Sequence, residues 1–137
     1  MKIKIMVFVF LTFGLFFSSA QATNLSNIEV FDVKKEQVVE IIANSDKIQG
    51  EINKCLNTIT GITKRFNPIP KEGQVIKIPV EPSVNVNNQW FSSLVDEVKI
   101  IMPTNETPLL MIFDDENKPY FLEFEHDITK LLLEIEK

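Results

Sequence analysis

The chain has 137 residues with 14 basic and 19 acidic side chains, a formal net charge of −5, one Cys and one His. This length allows one domain with a modest core. The negative charge opposes binding to a phosphate backbone, and no stretch combines clustered basic residues with aromatic ones, so nucleic-acid binding is disfavoured. A single cysteine excludes an internal disulfide, and the core must supply the stability.

The first 22 residues have the three-part layout of a secretory signal peptide. Two lysines precede an uncharged, mostly apolar run over residues 5–17, and small residues ending in Ala-Gln-Ala follow it. We expect cleavage after Ala22 and a single small domain over residues 23–137, located in the cell envelope or outside the cell. The alternative is an uncleaved membrane anchor. A helix over residues 5–17 would reach only ~20 Å, however, whereas a bilayer core needs ~30 Å.

The acidic charge is concentrated near the C-terminus. Residues 96–137 carry eleven acidic and four basic side chains, whereas residues 23–95 carry eight of each. Such a surface favours a protein partner with a basic surface, and the attraction should weaken as salt rises. The same acidity is also typical of a surface that only keeps a domain soluble.

Residues 32–61 have the apolar spacing of a long N-terminal helix. Apolar side chains recur at intervals of three, four and seven and include Val38, Ile41, Ile48, Ile52, Cys55 and Ile59. Asp32 is the candidate N-cap, Gly61 is the candidate stop, and Gly50 is a position where the helix could break. On this stripe we expect Cys55 to be a core residue. The alternative is a reactive thiol with His126 as its base.

Two shorter patterns follow in the middle of the chain. Residues 74–82 alternate between apolar and other side chains and predict a strand. Pro79 and Pro82 within it predict a position at the sheet edge, because proline cannot donate to a strand ladder. Residues 90–95 place four apolar side chains at helical spacing and predict one or two turns of helix.

Three stronger strands are predicted over residues 97–103, 108–114 and 119–125, and a short C-terminal helix is predicted after Asp127, its candidate N-cap. Short connections make such neighbouring strands antiparallel. The predicted fold class is therefore α+β. It has a single antiparallel sheet of about four strands, with a long N-terminal helix and a short C-terminal helix packed on it.

Asp114, Asp115 and Glu116 begin the connection between the last two predicted strands. Asp and Asn followed by Pro are typical of a hairpin turn, since their side chains bond the local backbone. A calcium loop would need a Gly at its bend and a Glu at its twelfth position, and both are missing. The sequence predicts a turn and no metal site.

Glu123 and Glu125 are expected to share one strand face about 7 Å apart, next to His126. Two carboxylates at this separation could act as acid and base in a small secreted hydrolase. Adjacent acids are also typical of a solvated strand end. Trp90 and Phe91 lie in a polar segment and could form a contact surface, or they could fill the core.

The chain lacks the motifs of common catalytic and cofactor sites. It has no serine-nucleophile motif, no glycine-rich phosphate loop and no paired His or Cys ligands, so we expect no cofactor. The sequence predicts an exported, non-catalytic binding domain, and the alternative is a hydrolase that uses Glu123, Glu125 and His126. The candidate contact residues are Trp90, Phe91, Asp114, Asp115, Glu116, Glu123 and Glu125.

Overall fold

The computed structural model describes residues 24–137, so the predicted signal peptide lies outside the described residues. The elements in this part of the chain are, in order, β1 (Ile28–Asp32), β2 (Gln37–Ile42), α1 (Asp46–Asn57), β3 (Ile59–Ile62), β4 (Gly73–Asn87), β5 (Ser92–Pro103), β6 (Leu109–Phe113), β7 (Pro119–Phe124) and α2 (Thr129–Ile135). The strands form one antiparallel sheet in the order β2-β1-β4-β5-β6-β7-β3. The predicted sheet of about four strands with a long N-terminal helix is wrong, because the described residues are mostly strand with two short helices.

The strand register gives the sheet two chemically different faces. An apolar row of cross-strand partners, each at most 3% exposed, comprises Val30, Ile76, Ile100, Leu110 and Leu122. The row one residue away along each strand comprises Glu29, Lys77, Lys99, Met111 and Phe121. Side chains alternate along a strand, so these rows lie on opposite faces. We call the face of the first row the inner face and the other the outer face.

Both helices pack on the inner face. α1 begins after Ser45, whose Oγ accepts a hydrogen bond of 3.3 Å from the Ile48 N–H. The helix residues that join the core are Ile48, Ile52, Cys55 and Leu56 from α1 and Leu131 and Ile135 from α2. Burial of one large aliphatic side chain contributes ~1.5–3 kcal/mol, so the apolar layer between the helices and the inner face supplies most of the stability.

Residues 32–61 form a hairpin and a shorter helix in place of the predicted long helix. A turn that contains Glu36 at a φ of 53° joins β1 to β2. The sequence of β2, QVVEII, is rich in β-branched residues, and these favour strands, so pairing with β1 outweighs the helical spacing. α1 runs through Gly50 and ends at Asn57, while Gly61 lies in β3.

The predicted edge strand, β4, lies in the middle of the sheet between β1 and β5. The Pro79 carbonyl accepts hydrogen bonds from Asn44 Nδ2 at 3.3 Å and Gln49 Nε2 at 2.8 Å. The N–H and C=O of a strand residue point to the same side, so the missing N–H of Pro79 faces these side chains. Proline at position 79 therefore removes no hydrogen bond between β4 and β5. Pro82 lies where pairing with β5 is interrupted, between Pro79 and Val84.

Gln49 joins α1 to this irregular part of β4. Its side chain is only 8% exposed. Its Nε2 donates to the Pro79 carbonyl, and its Oε1 accepts a 3.0 Å hydrogen bond from the Glu81 N–H. A buried amide without partners is unfavourable, and so are unpaired backbone groups. The Gln49 amide and the backbone groups of Pro79 and Glu81 are therefore paired with each other, and these bonds attach α1 to the sheet.

Residues 90–95 belong to a turn and to the start of β5 and form no helix. Burial alternates strictly, with Phe91, Ser93 and Val95 buried and Ser92 and Leu94 exposed. Four apolar residues in so short a stretch fit both helical and strand periods, and long-range pairing with β4 decides between them.

The strands and the short helix predicted for the C-terminal part of the chain are confirmed, but the N-cap of that helix is Ile128 and not the predicted Asp127. The three predicted strands correspond to the second half of β5 and to β6 and β7, and a short helix, α2, ends the chain. Asp127 Oδ1 accepts hydrogen bonds from the Thr129 N–H at 2.9 Å and from Thr129 Oγ1 at 2.6 Å, which prepares the first turn of α2.

Candidate binding surfaces

The middle of the outer face carries alternating charges. Lys77 Nζ is 3.0 Å from Glu29 and 3.9 Å from Glu97, and Lys99 Nζ is also 3.9 Å from Glu97. Lys77 and Lys99 are direct cross-strand partners, so Glu97 compensates a like-charge pair. The hydrogen bond with Glu29 is the main cause that raises the pKa of Lys77. Lys99 Nζ also lies 5.2 Å from the centroid of the Phe113 ring.

One end of the outer face is covered. Ile101 and Leu109 point away from the helices and are still only 1% and 0% exposed. The segment that leads from β3 to β4 passes close by, since Arg65 Nη2 donates to the Thr107 carbonyl at 2.8 Å and Arg65 Nε lies 3.0 Å from Glu106. The region around β2, β1 and β4 remains accessible on the outer face.

This accessible region has a cavity and an apolar edge. The cavity has a volume of about 310 Å³ and is lined by Glu29, Phe31, Val38, Val75, Lys77 and Lys99. β2 is the outermost strand beside it. Its exposed apolar side chains are Val38 at 46%, Val39 at 41% and Ile41 at 64%. The sequence analysis placed these residues on a helix and so missed this surface. The β-branched composition of QVVEII was the available signal.

The predicted turn at Asp114 is present. Asp114 Oδ1 accepts hydrogen bonds of 2.9 Å from the N–H groups of Glu116 and Lys118, and the bond from Lys118 is the main cause that lowers the pKa of Asp114. Asp115 accepts a 2.8 Å hydrogen bond from Ser93 Oγ in β5. Asp114 and Asp115 therefore have structural roles, and Glu116 presents an exposed carboxylate.

Trp90 and Phe91 differ in their surroundings. Phe91 is 2% exposed, and its ring makes an edge contact with Tyr120 at a centroid distance of 5.1 Å. Trp90 is half-buried, and its indole Nε1 lies 3.9 Å from the position that a Cβ would take on Gly61. Phe91 is thus a core residue, and Trp90 keeps some accessible surface near β3.

His126 contacts a carboxylate other than the two of the hydrolase hypothesis. Glu123 is exposed in β7, and Glu125 is exposed just after that strand. His126 Nε2 lies 2.5 Å from Glu51 Oε2 in α1. Glu51 is only 7% exposed, and the hydrogen bond with His126 is the main cause that lowers its pKa. The histidine is therefore joined to α1 and is not paired with either predicted carboxylate.

Cys55 is fully buried in α1. Burial is the main cause that raises the pKa of its thiol to about 12, and the negative charge of Glu51 adds to the effect. A thiol in this state supplies almost no thiolate at neutral pH, so Cys55 behaves as a small apolar core residue. The contact between His126 and Glu51 was not predicted, because the two residues are 75 positions apart in the chain.

Within residues 24–137, no three His, Cys, Asp or Glu side chains are grouped so that they could hold a metal ion. Neither helix in that range has the length and apolar character needed to cross a membrane. Comparison of the chain with protein-family models, curated proteins and solved structures gives no match. A function therefore has to be argued from this chain's own surfaces.

Proposed function

We propose that the chain is a small, non-catalytic binding domain, exported to the cell envelope or the extracellular space, that holds an extended segment of a partner protein along β2. The observation that carries the proposal is the exposed edge of this strand. β2 has a neighbour on one side only in the described sheet, and Val38, Val39 and Ile41 are 41–64% exposed. An edge strand offers free N–H and C=O groups, to which another extended chain can add as a further strand.

The outer-face cavity supports selection among such segments. Backbone bonds to an edge strand are the same for most sequences, so side-chain pockets supply the specificity in strand addition. Phe31, Val38 and Val75 give the cavity apolar walls, and Lys77 and Glu29 give it charged walls. The partner segment would place an apolar side chain there.

The partner needs a second area of contact. A stable interface buries ~1,200–2,000 Å² in total, which six residues of paired strand do not reach. Glu123 shares the outer face, and Glu116 is exposed on the turn before β7. Since the chain has a net charge of −5, a partner with a basic surface would be attracted to these acids, and its association would slow as salt rises.

The test compares the full chain with two lysine variants. Val38→Lys puts a charge into the β2 edge and the cavity, whereas Ile62→Lys puts the same charge on β3, at the other edge, where Ile62 is 50% exposed. Each protein is immobilised, and envelope and secreted proteins of the host are applied at low salt. A partner that wild type and Ile62→Lys retain and that Val38→Lys loses would support the proposal.

Strand addition can also be measured directly by amide hydrogen exchange. Amide hydrogen exchange over Gln37–Ile42 should slow in the complex, because the added strand protects the free N–H groups of β2. Retention by Val38→Lys, or unchanged exchange in the complex, would contradict the proposal. Turnover of a substrate that Glu123→Gln abolishes would support the hydrolase instead.

A further inference from the structure

A second surface feature, the helix groove, lies between α1 and α2 and has a volume of about 380 Å³. α1 contributes Lys47, Gly50 and Lys54, and α2 contributes Lys130 and Leu133. These positions follow helical spacings of three, four and seven, so one stripe of each helix lines the groove.

The side chains of residues 24–137 leave the groove unfilled. A Cβ added to Gly50 would meet no atom of this part of the chain within 4 Å, and Leu133 is 56% exposed on the other side. The aliphatic parts of Lys47, Lys54 and Lys130 add apolar surface while their ammonium groups reach water. The helix groove therefore offers an apolar floor with cationic rims.

The lining of the helix groove has an excess of positive charge, with three lysines, Lys47, Lys54 and Lys130, against two carboxylates. Glu51 contacts His126 at 2.5 Å and Lys54 at 3.4 Å, and Glu134 contacts Lys137 at 2.9 Å and also interacts with the charge of Lys47. Lys47 and Lys130 make no ion pair within 4 Å among residues 24–137. Although the chain as a whole is negative, this site attracts anions.

We propose that the helix groove binds a fatty-acid anion, with the apolar chain along Gly50 and Leu133 and the carboxylate toward the lysines. The volume is within the ~300–1,000 Å³ that small-molecule sites have. A partner helix fits less well, because the seven residues of α2 extend only ~10 Å at ~1.5 Å per residue. This site is separate from the β2 edge, so either proposal can fail without the other.

The first test titrates dodecanoate into the full chain by calorimetry, at a pH where the carboxylate is ionised. Affinity should rise by up to about fourfold for each methylene added from octanoate to dodecanoate, because one buried CH₂ contributes ~0.8 kcal/mol. Dodecyltrimethylammonium, which has the same chain and the opposite charge, should bind at least about tenfold more weakly. Equal affinity for the two ions, or no dodecanoate binding, would overturn the proposal.

The second test uses variants of the residues that line the helix groove. Gly50→Leu places a side chain in the open space and should weaken dodecanoate binding by about tenfold, while the melting temperature does not fall, because Leu favours a helix more than Gly does. The double variant Lys47→Gln with Lys130→Gln should also weaken binding, and the double variant Lys35→Gln with Lys71→Gln, at two exposed lysines away from the groove, is the charge-matched control. Dodecanoate binding that survives Gly50→Leu would overturn the proposal. So would an acidic helical peptide that occupies the groove when dodecanoate does not.

Discussion

Ile100 and Lys99 are neighbours in β5, but they lie on opposite faces of the sheet. Ile100 is fully buried in the apolar row of the inner face. The Lys99 side chain is 30% exposed and contacts Glu97 at 3.9 Å and the Phe113 ring. One face is thus stabilised by packing, whose contributions are large, and the other by solvated charge contacts, whose contributions are small.

This difference has a practical consequence for function. A substitution on the accessible part of the outer face changes what the surface can bind without emptying the core. A substitution on the inner face lowers the stability of the domain, so a change in binding there does not report on contact alone. The β2 edge and the outer-face cavity can therefore be tested by mutation in a folded protein.

The largest effect is expected at the centre of the inner row. Ile100→Ala should lower the free energy of unfolding by ~2–5 kcal/mol, because it removes a buried side chain and leaves a cavity. Lys99→Ala, one residue away, should cost less than ~1 kcal/mol. Denaturant unfolding measures the two losses, provided that the m-value stays unchanged. Similar losses in the two variants would show that the faces do not differ as described.

The inner face also holds a polar contact that can be broken. Gln49→Ala should lower the free energy of unfolding by ~1–3 kcal/mol, because the Glu81 N–H loses its partner and the Pro79 carbonyl keeps only the 3.3 Å bond from Asn44. Asn53→Ala, on the exposed side of the same helix, should change it by no more than ~0.5 kcal/mol. Thermal or denaturant unfolding compares the pair. A Gln49→Ala variant as stable as Asn53→Ala would mean that water replaces the lost contacts.

A smaller effect, which depends on pH, is expected at Glu51. Its pKa is lower in the folded protein than its ordinary value of 4.5, so the ionised carboxylate stabilises the fold above that pH. The contribution disappears as pH falls through the lowered folded pKa. Glu51→Gln should be less stable near neutral pH and should depend less steeply on acid, as measured by unfolding from pH 7 downward.

The two side chains that contact Glu51 should contribute unequally to this pH-dependent stability. His126→Asn should reproduce most of the Glu51→Gln behaviour, and Lys54→Gln should reproduce less of it, because the His126 hydrogen bond is the first cause of the lowered pKa. Acid-unfolding curves of Glu51→Gln that coincide with those of wild type would contradict this account.

The smallest effect is expected on the outer face. Glu97→Gln leaves Lys77 and Lys99 opposite each other without their shared carboxylate and should cost less than ~1 kcal/mol. The loss should shrink further at high salt. Asp96→Asn removes the same charge from an exposed position without an ion pair in residues 24–137 and serves as the control. A loss that is independent of salt would argue for a packing effect instead.

The C-terminal part of the fold could be predicted because its signals are local. A continuous apolar run defines β6, and a strand pattern with Tyr120, Leu122 and Phe124 on one face defines β7. The Asp114 turn and the start of α2 after Asp127 rest on hydrogen bonds between residues two to four apart in the chain. No distant segment competes for these contacts, so reading along the chain was sufficient.

The N-terminal part could not be predicted in the same way. The spacing of Val38, Ile41 and Ile48 fits a helix, but β1 supplies a partner strand that the spacing does not reveal. β4 was predicted to be an edge strand because of its prolines, and it became central because Gln49 accepts and donates the bonds that the ladder lacks there. In both places a residue distant in sequence decided the structure.

The candidate sites also differ in whether local sequence or long-range contacts form them. Composition and motifs alone determined that the chain is acidic, has one cysteine and one histidine, begins with a signal-like segment and carries a turn at Asp114. Only the tertiary structure decided that His126 meets Glu51 and that, among residues 24–137, the β2 edge is free and Gly50 lies in an open groove. The physical reason is that sheet edges, grooves and contacts such as that of His126 with Glu51 are formed by segments far apart in sequence, whereas turns and caps are formed by neighbours.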